Sequence, residues 1–115
     1  MRLFLDDERN PEDVTWITLY EGPYEIVRTQ DEFIAWVSQH GIPDVISFDN
    51  DLGTGFGEGR DCAKWMCEAV MDGDIAFNPR MRFTVHSKNV VAAEWITQYL
   101  TAFWKAWTKR MEKGE

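Results

Sequence analysis

Three short apolar runs that each break off in charged or polar residues constrain this chain more than any other feature. Val45-Ile46-Ser47-Phe48 runs into Asp49-Asn50-Asp51-Leu52-Gly53, Arg2-Leu3-Phe4-Leu5 into Asp6-Asp7, and Arg82-Phe83-Thr84-Val85 into His86-Ser87. A brief run rich in β-branched and aromatic residues, bounded by turn formers, reads as a buried strand. Laid parallel in an open α/β sheet, such strands bring their C-terminal tips to one edge, where sheets of this kind bind ligands. The three tips would then deliver two pairs of carboxylates and a histidine to a single mouth.

The chain between these runs alternates in period. Tyr24 to Thr29 reads as another strand, and Thr29 with Glu32 three residues on is a capping box. Phe33, Ile34, Trp36 and Val37 give the helix that follows an apolar face, and Gly41 and Pro43 end it. No helical periodicity follows the first strand, where Thr15 to Tyr20 suits a short extended piece. The glycine-dense stretch from Gly53 to Gly59 must be sharply turned or flexible. Helices are expected over about 60–71 and 90–112, the second capped by Ser87 or Asn89, with a loop over 72–81. In the last helix Ile96, Leu100, Phe103 and Trp107 form one stripe. Trp95 and Trp104 lie off it, so that helix is either buried on two sides or offers an aromatic patch for a protein partner or self-association. The order β-β-α-β-α-β-α with right-handed crossovers predicts an α/β, flavodoxin-like but truncated fold with a mainly parallel four-stranded sheet in order 2-1-3-4.

Length and charge narrow the function. A chain of 115 residues, 44% hydrophobic, fits a single domain over 1–115 with one core. A formal net charge of −8 argues against a general nucleic-acid surface, which needs a basic footprint. A small phosphorylated ligand or an RNA end remains compatible, given a cation or a local arginine to screen the acids. No run approaches the roughly 18 apolar residues of a membrane span, and the N-terminus has no signal pattern, so no membrane association and a cytoplasmic location are expected. Cys62 and Cys67 fall on different faces of a helix and suggest neither a disulfide nor a zinc site.

Asp6, Asp7, Asp49 and Asp51 brought together would raise one another's pKa or require a cation. Oxygen ligation by Asp6, Asp7 and Asp49 suits Mg²⁺ or Mn²⁺. His86 adds a ligand that favours Mn²⁺ or Zn²⁺, or a general acid/base. Ser87 and the first amides of the last helix suit a phosphate oxygen, and Arg9 and Arg60 are further phosphate candidates. The glycines at 55, 57 and 59 make no Walker loop, because no Gly-Lys-Ser/Thr follows.

The motifs Leu3-Phe4-Leu5-Asp6-Asp7-Glu8-Arg9-Asn10-Pro11, Ile46-Ser47-Phe48-Asp49-Asn50-Asp51-Leu52-Gly53 and His86-Ser87-Lys88-Asn89 resemble the cyclic-phosphate-processing receiver-like domains, relatives of two-component receivers found in bacteria and phages. The resemblance implies a truncated receiver/flavodoxin-like three-layer fold and metal-dependent processing of a cyclic phosphate, on a cyclic nucleotide or an RNA end. It implies metal ligation by Asp6, Asp7 and Asp49, catalysis by His86, Asp49, Asp51 and Arg9, and substrate contacts from Arg9, Ser87 and Asn89. The chain departs from true receivers in lacking a fifth strand with its lysine, and it carries Asn50 where the subfamily typically has a second histidine. Those departures keep open a different expectation, a non-catalytic module, phage- or defence-related, that binds a nucleotide or a protein.

Overall fold

The computed structural model describes residues 1–114. Its four strands are β1 (Arg2–Leu5), β2 (Glu25–Val27), β3 (Val45–Phe48) and β4 (Arg82–Val85), all parallel and ordered β2-β1-β3-β4. The helices are α1 (Gln30–His40), α2 (Gly59–Met71) and α3 (Val90–Glu112). Fold class, strand order and helix positions match the sequence expectations; β2 is shorter than the run Tyr24–Thr29, and residues 15–20 form no strand.

Alternation along the strands sorts the side chains between two faces. Leu3 and Leu5 of β1, Val27 of β2, and Ile46 and Phe48 of β3 enter a core with Phe33 and Val37 of α1, Cys62 and Met66 of α2, and Ile96 and Leu100 of α3. Each fully buried side chain of this kind contributes about 1.5–3 kcal/mol. All three helices sit on this face, α1 packed on α2 and α2 on α3. Thr29 Oγ1 accepts the amide of Glu32 to start α1, and Asn89 rather than Ser87 caps α3, its Oδ1 accepting from Ala92.

The other face carries Phe4, Ser47 and Thr84, which are neighbours in the strand register. No helix covers it. The irregular segment over residues 6–24 does, and it is the third layer. Val14 is buried there, Tyr24 meets Phe4 edge-on at 6.1 Å, and Arg82 lies 4.7 Å from the centre of the Tyr20 ring. Arg28, just past β2, ties the segment down by donating to the carbonyls of Asp6 and Arg9 and to Asn10 Oδ1.

The aromatic residues off the main stripe of α3 are partly claimed by the chain itself. Trp104 Nε1 donates to the carbonyl of Asn78, and its ring packs on Phe77 at 5.0 Å, so the 72–81 loop folds back on the helix. Trp95 stacks on Tyr99 at 4.8 Å. Cys62 and Cys67 are both buried, and burial pushes each thiol up to about 12. No helix among the described residues is long and apolar enough to cross a membrane.

Candidate active site

Strand register builds the site. Leu5 pairs with Phe48 and Phe48 with Val85, so the next residues, Asp6, Asp49 and His86, stand side by side on three neighbouring strands. Their amides continue the ladder, Asp6 donating to Val27, Asp49 to Leu5 and His86 to Phe48. Each lies two residues beyond Phe4, Ser47 or Thr84, so all three side chains fall on the face away from the helices. One ligand atom from each lies within 4.8 Å of the others, and all three residues are buried.

A hydrogen-bonded row runs across that face. Thr84 Oγ1 donates to Ser47 Oγ at 2.7 Å, Ser47 Oγ lies 2.8 Å from His86 Nδ1, and His86 Nε2 lies 2.9 Å from Asp6 Oδ2. Because Thr84 supplies the hydrogen to Ser47, the Ser47 hydroxyl is free to donate to Nδ1. The proton of the neutral imidazole then sits on Nε2 and is donated to Asp6. Phe4 stacks on the ring at 4.5 Å, and Trp16 Nε1 donates to the His86 carbonyl at 2.8 Å. Burial lowers the His86 pKa against the opposing pull of Asp6, consistent with a neutral ring.

Burial opposes ionisation of Asp6, yet the amides of Arg9 and Glu8 on its Oδ1, followed by His86, bring its pKa below the ordinary value. Asp49 is compensated less, by the amide of Asn50 on its Oδ1 at 2.8 Å and by the charge of Arg9. Burial first, and then the charge of Asp6, push its pKa up to about 6. Asp7 is raised for the same two reasons. Arg9 reaches Asp6 Oδ2 only at 3.6 Å.

Above this floor is an open cavity of about 250 Å³. Asp7, Glu8 and Arg9 line it from the β1 end, Asp49 and Asp51 from the β3 end, and Ser87, Lys88 and Asn89 from the β4 end. Six residues expected at the site, Asp7, Arg9, Asp49, Asp51, Ser87 and Asn89, therefore meet in one space, with Asp6 beneath it. The His86 side chain does not reach the cavity; it is fully buried and both ring nitrogens are engaged. Arg60 pairs with Glu58 at 2.8 Å and is absent from the lining.

Asn50, where the resemblance implied a second histidine, is also taken up structurally. Its Oδ1 accepts the amide of Arg60 and its carbonyl accepts that of Gly59, so it caps α2 in place of Glu58, which makes no side-chain cap. Sequence reasoning assigned no role to Ser47, Thr84, Trp16 or Lys88. Period-two alternation leading up to Asp49 and His86 points to the first two; no local signal points to the others.

The donor set fits a divalent cation: buried Asp6 and Asp49 face each other with one loosely placed arginine, and burial together with the charge of Asp6 pushes the Asp49 pKa up to about 6. Ligand atoms of Asp6, Asp49 and His86, the last offered by the sequence as an added ligand, lie close together, and Asp7, the third carboxylate expected, lines the cavity beside them.

A parallel sheet in order 2-1-3-4, with acids at the tips of its two central strands, defines a receiver-type α/β domain. The family model for the cyclic-phosphate processing receiver domain matches residues 1–102, and the chain belongs to that family. No curated protein and no solved structure matches it.

Proposed function

We propose that the chain hydrolyses a cyclic phosphate, on a cyclic nucleotide or an RNA end, in the cavity above Asp6 and Asp49. The observation that carries this reading is the meeting of Asp6, Asp49 and His86 beneath a cavity rimmed by Arg9, Ser87 and Asn89. Mg²⁺ or Mn²⁺ held by Asp6, Asp7 and Asp49 would supply Lewis-acid polarisation of a phosphoryl oxygen.

The remaining chemistry belongs to the side chains. Arg9 and the Ser87 hydroxyl donate to non-bridging phosphate oxygens, and Asn89, whose Oδ1 is committed to Ala92, offers only its amide hydrogens. Asp51 is exposed, with Oδ1 on the amide of Gly53 at 3.2 Å, and its other oxygen accepts the proton of water adding to phosphorus. One ester bond of the ring breaks and a phosphomonoester results. The proton that Asp51 takes up returns to the released oxygen, while His86, a neutral ring whose Nε2–H is donated to Asp6 Oδ2, orients that carboxylate rather than serving as the acid.

Incubation with Mg²⁺ or Mn²⁺ and a panel of 2′,3′- and 3′,5′-cyclic nucleotides and cyclic-phosphate-ended oligonucleotides tests the reading. Turnover of one class, lost in Asp49→Asn, is expected; no turnover of any by folded protein contradicts it. The enclosure of His86 favours a second reading, a module that binds a nucleotide without chemistry. Calorimetry separates the two, since a cyclic nucleotide bound and recovered unchanged supports binding alone.

A further inference from the structure

Arg9 and Lys88, from different strand ends, converge on one aromatic ring. The Arg9 guanidinium carbon lies 5.1 Å and the Lys88 ammonium 4.3 Å from the centre of the Trp16 ring. Trp16 is itself fixed by the 2.8 Å bond from its Nε1 to the carbonyl of His86, two residues before Lys88. Both cations line the acidic cavity, and among the described residues no carboxylate lies within salt-bridge distance of Lys88.

The manner of holding matters. A carboxylate partner would cancel the ammonium charge, while the ring quadrupole attracts and orients it and leaves the charge available to an anion. A chain with 20 acidic and 12 basic residues has few cations to spare, and here one stands beside acids without pairing with them. Like charges on Arg9 and Lys88 repel unless an anion sits between or beside them. Ser87, next in the chain, adds a hydroxyl donor in the same cavity.

We infer that Lys88 is a phosphate-binding residue acting with Arg9, and that Trp16 is the positioning residue that aims both at the non-bridging oxygens of a phosphate. This deepens, and rests on, the reading of the cavity as a phosphate site.

Titration calorimetry with inorganic phosphate, in the presence of Mg²⁺, tests it on wild type, Lys88→Met, Lys88→Arg and Trp16→Leu. Lys88→Met keeps the aliphatic stem on the ring and removes the charge, so phosphate affinity should fall by about tenfold or more, as for loss of a charge-assisted hydrogen bond. Lys88→Arg should restore most of it. Trp16→Leu should weaken binding although the leucine touches no phosphate, and the indole Nε1–H resonance missing from its NMR spectrum should be the one that shifts when wild type takes up phosphate. Equal affinity in wild type and Lys88→Met, or no phosphate binding by wild type at millimolar concentration, overturns the inference. Lys88-dependent phosphate binding without turnover of any cyclic phosphate would leave it standing and reject the hydrolytic function alone.

Discussion

At the scale of single residues, Ser47 shows how a small side chain organises a cavity it does not line. Its hydroxyl accepts from Thr84 and lies 2.8 Å from His86 Nδ1, and that pairing puts the imidazole proton on the nitrogen facing Asp6. Ser47→Ala leaves the buried His86 Nδ1 and the half-buried Thr84 Oγ1 without this partner. The expected cost is about 1–3 kcal/mol, read by urea unfolding. Nitrogen NMR of the His86 ring should report Nε2–H as the dominant tautomer in wild type and a mixture in the variant. An unchanged unfolding midpoint would show that the row of hydrogen bonds contributes nothing.

At the scale of elements, close packing decides where glycine is required. A Cβ on Gly59, the first residue of α2, would collide with the carbonyl oxygen of Asp49, so the helix starts directly against the end of β3. Gly59→Ala must push the helix from the strand, at an expected cost of about 2–3 kcal/mol, typical of overpacking, and thermal melting measures it. A melting temperature equal to wild type would contradict that contact.

The same scale shows what the chain discloses locally. Thr29 with Glu32 and the stripe of Ile96 and Leu100 mark their helices because caps and apolar faces are short-range properties. The three strand tips were legible for the same reason, and with them Asp6, Asp49 and His86. The covering of the second face was not, since residues 6–24 have no periodicity and are held by contacts such as Trp16 to His86, 70 residues apart. Nor was the burial of His86: a polar residue at a strand end looks exposed until the layer above it is known. Asn50 reads as a turn residue, and only the approach of α2 turns it into that helix's cap.

At the scale of the molecule, pairing β1 with β3 through their apolar halves forces the acidic ends of these two strands together, with His86 at the end of β4 beside them. The helix-side core supplies the stability, and the opposite face carries the electrostatic cost of Asp49 beside Asp6. A carboxyl whose folded pKa is raised from 3.8 to about 6 is favourable to the fold below pH 3.8, where it is protonated in both states, and that contribution is lost as pH rises through about 6. His86, lowered by burial, acts in the opposite sense, its contribution present above pH 6.5 and lost as pH falls. Comparison with Asp49→Asn isolates the carboxylate from the histidine.

Thermal melts of wild type and Asp49→Asn, in chelator and in millimolar Mg²⁺ or Mn²⁺, at pH 4 and pH 7.5, therefore test the site most directly. In chelator at pH 7.5 Asp49→Asn should melt higher than wild type, and at pH 4 the difference should nearly vanish. Metal should raise the wild-type melting temperature at pH 7.5, since whatever binds the folded state stabilises it, and should do so far less in the variant. Equal melting temperatures in chelator at both pH values, together with an equal response to metal, would mean that Asp49 and Asp6 do not share a cation site at the mouth of the sheet.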